Sequence, residues 1–341
     1  MPQTPREIVT RCLSFKKPER VPRDLWVLPY AQTHFPEDVG NIERDFPNDI
    51  IKPDYEYPAS PIVRGDRYAV GYCTDAWGCE FKNIQAGIIG EVETPIIRDI
   101  SDWKSVRPPY EQIPDNTAGP YENINRFCAN TDKFVIANCC PRPWERYQFL
   151  RGSENALIDM MMPDYGARDL IKAIHDFYLK EFEFWVKTDV DAIWFMDDWG
   201  AQNQLLINPE IWRELFKPLY KDYCDLAAAN DKFIMMHTDG HVTEIFADLI
   251  EVGLDAINSQ LFCMDISELA KIGKGKITFW GEIDRQHILP SADVQKGRDA
   301  VQKVASHLYD PSGGVIAQFE FGLGMKPEMA VAVLEEWGRI K

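Results

Sequence analysis

Two short runs in this chain carry side chains that could do chemistry. His237-Thr238-Asp239 follows an apolar run at 233–236. At i and i+2 on a strand, an imidazole and a carboxylate face the same side. That spacing could hold one Zn²⁺, whose bonds to N and O are about 2.0–2.2 Å. It could equally form a hydrogen-bonded base and the acid that orients it. Asp197-Asp198 follows a second run at 192–196. Adjacent strand residues point to opposite faces, so one carboxylate points inwards and the other outwards. The inward one calls for a cation, a metal or a ligand, because an unpaired buried charge is costly.

The elements that must position these groups are legible as an alternation. Apolar runs at 21–28, 134–140, 192–196, 233–236, 256–259, 277–280 and 315–319 read as strands covered on both faces, with one more near 74–84. Helical patterns fall at 4–14, 123–129, 168–188, 209–230, 242–252, 266–272, 292–308 and 327–340. The helix at 209 has Asn208 as its expected N-cap and Pro209 at N1. Repeated β-α units with short connections demand a parallel sheet, doubly wound or closed. No GxGxxG follows an early strand, and about eight strands are counted. The expectation is therefore a (β/α)8 TIM barrel in one domain, residues 1–341, with an N-terminal helical extension over about 1–20. Residues 29–67 and 107–119, rich in Pro and Asp, read as an irregular insertion and a loop.

Composition narrows the class. Of 341 residues, 37 are Lys or Arg and 54 are Asp or Glu, a net charge of −17, and 45% are hydrophobic. That is globular composition. The negative charge disfavours nucleic acid and anionic membranes as partners, and no apolar run is long enough to span a bilayer. The first twenty residues are polar and lack a signal-peptide core. The eight cysteines contain no CxxC pair, so reduced thiols and a cytoplasmic location are expected.

In such a barrel the chemistry lies at the C-terminal ends of the strands. Read along those ends, the chain offers Trp26, then Asp75 and Trp77, then Arg142 and Trp144, then Asp198 and Trp199. His237 and Asp239 follow, then Gln260, Glu282 with Asp284, and Glu320. Asp239 and Asp284 have a plainer reading as helix caps. The tryptophans could line a pocket for a flat ligand or a sugar, or simply pack in the core. Asp75, Asp198 and His237 are the expected acid–base groups. Trp26, Trp77, Arg142, Trp144, Trp199, Gln260 and Glu282 are the expected substrate contacts.

Five stretches carry a resemblance. TPREIVTRCLSFKKPERVPRDLWV, TDAWGCEF, MDDWG with INPEIWRELFKPLY, HTDGHV and FGLGMKPEMAVAVLEEW are similar, in order, to motifs of the uroporphyrinogen decarboxylase superfamily. The resemblance runs from about residue 4 to 340 and implies a TIM barrel. True decarboxylases of the superfamily hold their substrate's carboxylates with arginines after the RVP motif. Here no arginine stands between Asp24 and Phe35. Their later G-H-G segment is Gly322-Leu323-Gly324 here, while the acid that binds the pyrroles corresponds to Asp75.

The corrinoid-dependent methyltransferases of the superfamily carry zinc on a His-x-Cys pair and a later Cys. His237 matches the His, Asp239 replaces the first Cys and Leu323 the second. The resemblance thus implies a His/carboxylate metal site of His237 and Asp239, completed by Glu320, Asp198 or Gln260. It implies metal-assisted O-demethylation of a methoxylated compound, with the methyl group passed to a corrinoid carried on a partner protein. The alternatives are a cofactor-independent lyase, decarboxylase or hydrolase acting on a small polar or carbohydrate-derived substrate through Asp75, Asp198 and His237, and a non-catalytic binding barrel. Substrate identity and pairing into a homodimer are left open by the sequence.

Overall fold

The computed structural model describes residues 2–114 and 117–340. Eight parallel strands follow one another along the chain: β1 (Arg23–Val27), β2 (Ile50–Ile51), β6 (Phe134–Val135), β7 (Ala192–Met196), β8 (Phe233–Thr238), β9 (Ala256–Ser259), β10 (Thr278–Trp280) and β11 (Val315–Phe321). Six of them form one sheet in the order β1-β11-β10-β9-β8-β7. This sheet curls. The Trp26 ring on β1, at one edge, lies 6.2 Å from the Trp194 ring on β7, at the other. β2 and β6 form a parallel pair between those edges. A bridge from Ile136 to Ala192 ties the pair to β7. The Asp49 N–H ties it to β1 by donating to the Arg23 carbonyl at 2.9 Å.

The helices lie between the strands. They are α1 (Pro5–Leu13), α2 (Pro29–His34), α3 (Pro36–Asp45), α4 (Ala118–Ala129), α5 (Pro143–Arg151), α6 (Ser153–Met161), α7 (Tyr165–Trp185), α8 (Pro209–Leu215), α9 (Lys217–Ala228), α10 (Thr243–Glu251), α11 (Ile266–Gly273), α12 (Val294–Leu308) and α13 (Pro327–Trp337). Local chemistry starts many of them. Thr4 and Glu7 form a capping box on α1. Asn208 caps α8 by accepting the Glu210 N–H, with Pro209 at N1, as expected from the sequence. No helix among the described residues is long and apolar enough to cross a membrane.

Two expectations fail here. The run at 74–84 is not a parallel strand. It belongs to an antiparallel hairpin of β3 (Gly71–Thr74) and β4 (Glu80–Asn83), extended by β5 (Glu91–Val92). The second parallel strand is β2, inside the stretch 29–67 expected to be irregular, which also contains α2 and α3. Two prolines of that stretch, Pro29 and Pro36, start helices at N1 instead of breaking them. Ile50–Ile51 is too short to show a periodicity. In the loop 107–119, Tyr110–Gln112 form a single helical turn, and residues 115 and 116 lie outside the described residues.

Candidate active site

The site is built where β7 and β8 end. Two glycines explain how. A Cβ on Gly200 would stand 2.2 Å from the His241 nitrogen, and one on Gly240 would stand 2.1 Å from the Gly200 oxygen. Real Cβ atoms do not tolerate such contacts, so the two loops can touch only because both residues are glycine. The touching loops exchange hydrogen bonds. Gly200 N–H donates to the Asp239 carbonyl at 3.0 Å, and His241 N–H donates to the Ala201 carbonyl at 2.8 Å. Asp198 and Asp239 thereby meet. The Asp239 N–H donates to Asp198 Oδ1 at 2.9 Å.

His237, at the end of β8, completes the group. Its Nε2 is 3.6 Å from Asp198 Oδ1 and 3.4 Å from Asp239 Oδ1. One ligand atom of each of these three residues lies within 4.8 Å of the other two. The imidazole is only 5% exposed, and its tautomer is fixed from behind. Asn258 donates both amide hydrogens, to the Trp280 carbonyl and to Gln318 Oε1. Its oxygen therefore faces His237 Nδ1, which must carry a hydrogen. Nε2 is left to offer its lone pair toward the two carboxylates, or to share a proton with them.

The electrostatics are strained toward protonation. Burial lowers the proton affinity of His237, but Asp239, Asp198 and Glu282 outweigh it, and its pKa is raised. Burial, Glu145 and Asp239 push Asp198 up to about 7. Burial and Glu320 push Glu282 up to about 8 against the pull of Arg285. Arg285 reaches three of the acids. It bonds Asp239, lies 3.0 Å from Glu320 and 3.9 Å from Glu282. Four carboxylates thus face one guanidinium and one imidazole. Acids outnumber cations by two unless protons or a divalent cation supply the difference. Asp239 Oδ1 and Glu282 Oε1 are buried without a hydrogen-bond partner.

The expected site residues divide. Asp198, His237 and Asp239 come together, with Glu282 beside them. Asp197 is the outward member of its pair. It is fully buried and caps α5, accepting the N–H groups of Trp144 and Glu145 at 2.8 and 2.9 Å and the Tyr220 hydroxyl at 2.7 Å. Glu320 is not among the clustered ligand atoms. Its carboxylate lies 3.0 Å from Arg285, and of the three residues expected to complete the group, Asp198 is the one whose oxygen clusters with His237 and Asp239. Trp26 stands at the site, its ring 5.6 Å from that of His237. Gln260 and Glu282 line a cavity with Arg285 and Gln202. Asp284 is a turn cap for Gln286 and His287.

Asp75 stands apart. It sits in the β3–β4 turn, where its Oδ1 accepts the Trp77 and Cys79 N–H groups and its Oδ2 meets Arg146 at 2.5 Å. It lines a different cleft, shared with Arg142 and Arg146. Trp77 is buried beneath the Arg146 guanidinium, edge-on to Phe177. Trp144 and Trp199 are wholly buried and stack on each other at 5.3 Å. They leave no surface for a ligand and instead brace the wall behind Asp197. Arg285 and Asn258 were missed by sequence reasoning. Asn258 had a signal, a polar residue within a short buried run. Arg285 follows Glu282 and Asp284 in the same strand-end loop.

No curated protein sequence matches the chain. Among solved structures, a methyltransferase from Methanosarcina mazei superposes with a TM-score of 0.68 over 98% of both chains, at 13% identity. A chitinase from Chromobacterium violaceum reaches only 0.43, at 9% identity over 94% of this chain and 100% of its own. The first likeness fixes the fold; the second carries no argument. The family model for uroporphyrinogen decarboxylase (URO-D) matches residues 72–337, a span that includes every residue of the Asp198–His237–Asp239 group, and the chain belongs to that family.

Proposed function

We propose that this protein moves a methyl group from a methoxylated small substrate to a corrinoid carried on a partner protein, at the C-terminal mouth of a closed eight-stranded barrel. The observation that carries the reading is the Asp198–His237–Asp239 group, with Asp239 Oδ1 buried and unpartnered. Its donor set fits a zinc ion. Ligand atoms around tetrahedral zinc stand about 3.4 Å apart, and Nε2 lies 3.4 and 3.6 Å from the two carboxylate oxygens. That the M. mazei protein of the same fold is a methyltransferase adds weight to methyl transfer.

His237 Nε2, Asp198 and Asp239 would hold the ion, and bound there it would supply Lewis acidity toward an ether oxygen. The chain's own residues do the rest. Asn258 keeps the His237 lone pair on Nε2. Arg285 holds the other oxygen of Asp239 and fixes its carboxylate. Trp26 supplies an aromatic face beside the reacting atoms. Glu282, buried at the cavity wall, holds a proton for the leaving oxygen. The C–O bond breaks, its electron pair stays on oxygen, that oxygen takes the proton, and the methyl group passes to the acceptor.

A second reading is acid–base chemistry on a small polar or carbohydrate-derived substrate. Asp198 at about 7 and Glu282 at about 8 favour it, without Asp75, which Arg146 engages.

Metal content and methyl transfer separate the two. Protein purified without chelators should carry about one zinc per chain, lost in His237→Ala. It should also transfer methyl from members of a panel of methoxylated compounds to added cob(I)alamin. Protein that binds no zinc and transfers no methyl group would overturn the first reading and leave the second.

A further inference from the structure

The cavity lined by Gln260, Glu282 and Arg285 adjoins the Asp198–His237–Asp239 group. It measures about 80 Å³, room for several water-sized groups. Three hydrogen bonds fix its place. Arg285 holds Asp239 with the same guanidinium that lines the cavity. Gln260 accepts the N–H of Gly240, the residue after Asp239, at 3.1 Å. The Glu282 N–H donates to the carbonyl of Ser259, the residue before Gln260, at 2.9 Å. The carboxyl that holds the proton, the arginine that fixes Asp239 and the amide that holds the Asp239 loop thus meet in one set of walls.

These walls are not matched to an anion. The acidic and basic residues that line the cavity are Glu282, Asp284, Arg285 and His287. Arg285 is engaged by Asp239 and Glu320, and the His287 ring lies against Asp284 at 3.2 Å. No cation is left over for a carboxylate or a phosphate. What is left over is hydrogen bonding. Gln260 Oε1 is taken twice, by the Gly240 N–H and by the Cys263 thiol at 3.3 Å. That fixes the amide, and its two N–H groups have no partner among the described residues. Glu282 is only 2% exposed, and its Oε1 is buried without a partner. A buried acceptor and a two-hydrogen donor in one cavity call for a ligand that both gives and takes hydrogen bonds. A hydroxyl does both.

We infer that this cavity seats hydroxyl groups and that the substrate is a neutral, polyhydroxylated methyl ether of the sugar or polyol kind. One hydroxyl accepts from Gln260 Nε2, and its neighbour on the ligand faces Glu282. Loss of the methyl group turns the ether into one more hydroxyl, and Glu282, which supplies that proton, already lines the seat. Leu261 and Ile283, both buried, offer apolar surface to the C–H groups such a ligand carries between its hydroxyls. Phe262 is the one phenyl ring among the lining residues, so nothing sandwiches a flat aryl ring here. That the ligand bears a methoxy group rests on the function proposed above; the seat for hydroxyls does not.

Calorimetric titration with 3-methoxypropane-1,2-diol, 3-O-methylglucose and 4-methoxybenzoate tests this without any turnover. At least one of the two hydroxylated ethers should bind at least about tenfold more tightly than the aromatic acid. Gln260→Glu keeps the oxygen that holds Gly240 and removes only the N–H donors. It should weaken that ether at least about fivefold and leave urea unfolding unchanged. The bound ether should also slow alkylation of Cys263 by iodoacetamide, read by peptide mass spectrometry, because that thiol lines the same cavity. No binding of either hydroxylated ether, equal or tighter binding of 4-methoxybenzoate, binding that leaves Cys263 unprotected, or a Gln260→Glu variant that binds like the wild type would overturn the seat. The two proposals fail separately. Selective binding that protects Cys263, with no methyl transfer to cob(I)alamin, would leave the seat and remove the methyltransferase. Methyl transfer from 4-methoxybenzoate and from neither hydroxylated ether would do the reverse.

Discussion

Two arginine–carboxylate clusters flank the mouth of this molecule, and they are built on opposite terms. In one, Arg146 meets Asp75 one to one. The remaining Asp75 oxygen takes two backbone N–H groups, and Trp77 packs against the guanidinium. Every demand is met inside the protein. In the other, Arg285 is shared among Asp239, Glu320 and Glu282 while Asp198 and His237 crowd in beside them. Two buried oxygens are left without partners. Charge that is fully paired holds a fold together, and charge left in surplus marks the place where a ligand completes it. The same residue types therefore predict different consequences on the two sides.

The largest effect is expected in the unsatisfied cluster. His237→Ala and Asp239→Asn should each lower methyl transfer by about 10³-fold, some 4 kcal/mol of barrier, with circular dichroism unchanged. Steady-state kinetics against cob(I)alamin read this directly. Activity within a few-fold of wild type in either variant would break the comparison at its stronger side.

Asp75→Ala should behave in the opposite way. It leaves Arg146 buried without its counter-ion, which costs about 3–5 kcal/mol of stability. The rate per folded molecule should stay near that of the wild type. Urea unfolding alongside kinetics separates the two quantities. A variant of normal stability that has lost activity would return Asp75 to the catalytic role read from the sequence.

Asp24 sharpens the contrast at the floor between the clusters. Burial raises its pKa from 3.8 to about 6, against the pull of two indole N–H groups and Lys52. The folded state therefore keeps this proton at pH values where the unfolded chain has released it. The stabilisation is complete below about pH 4 and is lost as pH rises to about 6, a span of roughly 3 kcal/mol. Asp24→Asn cannot ionise, and its amide oxygen can still accept both indoles. Unfolding free energies at pH 4.5 and pH 7 should show the variant gaining on the wild type at the higher pH. Parallel curves for the two proteins would place the ionised carboxylate comfortably in the fold.

How far the sequence revealed this follows from the length scale of each signal. The strands β7 to β11 are short continuous apolar runs bounded by helices, and that pattern found them. The i, i+2 spacing of His237 and Asp239 was legible too, because one closes β8 and the other directly follows it. Which member of Asp197-Asp198 faces the site was not legible. That depends on where β7 stops and on an α5 N-terminus 53 residues earlier that needs a cap. β2 was hidden because two isoleucines have no period, and Asp75 was misplaced with it, since the hairpin after β2 mimics a strand. Trp144 and Trp199 look like pocket residues in one dimension. Only the stacking between α5 and the end of β7 shows them to be wall.

The smallest expected effect concerns the contact that separates the two clusters in kind, the touching loops at Gly200 and Gly240. The Asp75 turn needs no such approach, whereas Asp198 reaches Asp239 only because two backbones touch. A methyl group at position 200 would meet the His241 nitrogen and the Gly240 backbone. Neither is the end of a flexible side chain, so the loops must part. Gly200→Ala should cost about 1–3 kcal/mol of stability and weaken zinc binding, because it spreads the ligands without removing one. Gly40→Ala is the control. It lies within α3 with nothing in reach of the added methyl, and it should stabilise the chain by about 0.5–1 kcal/mol and leave zinc affinity untouched. If Gly200→Ala lost stability but bound zinc as tightly as the wild type, the approach of the loops would serve packing alone. The convergence of Asp198 and Asp239 would then not depend on it.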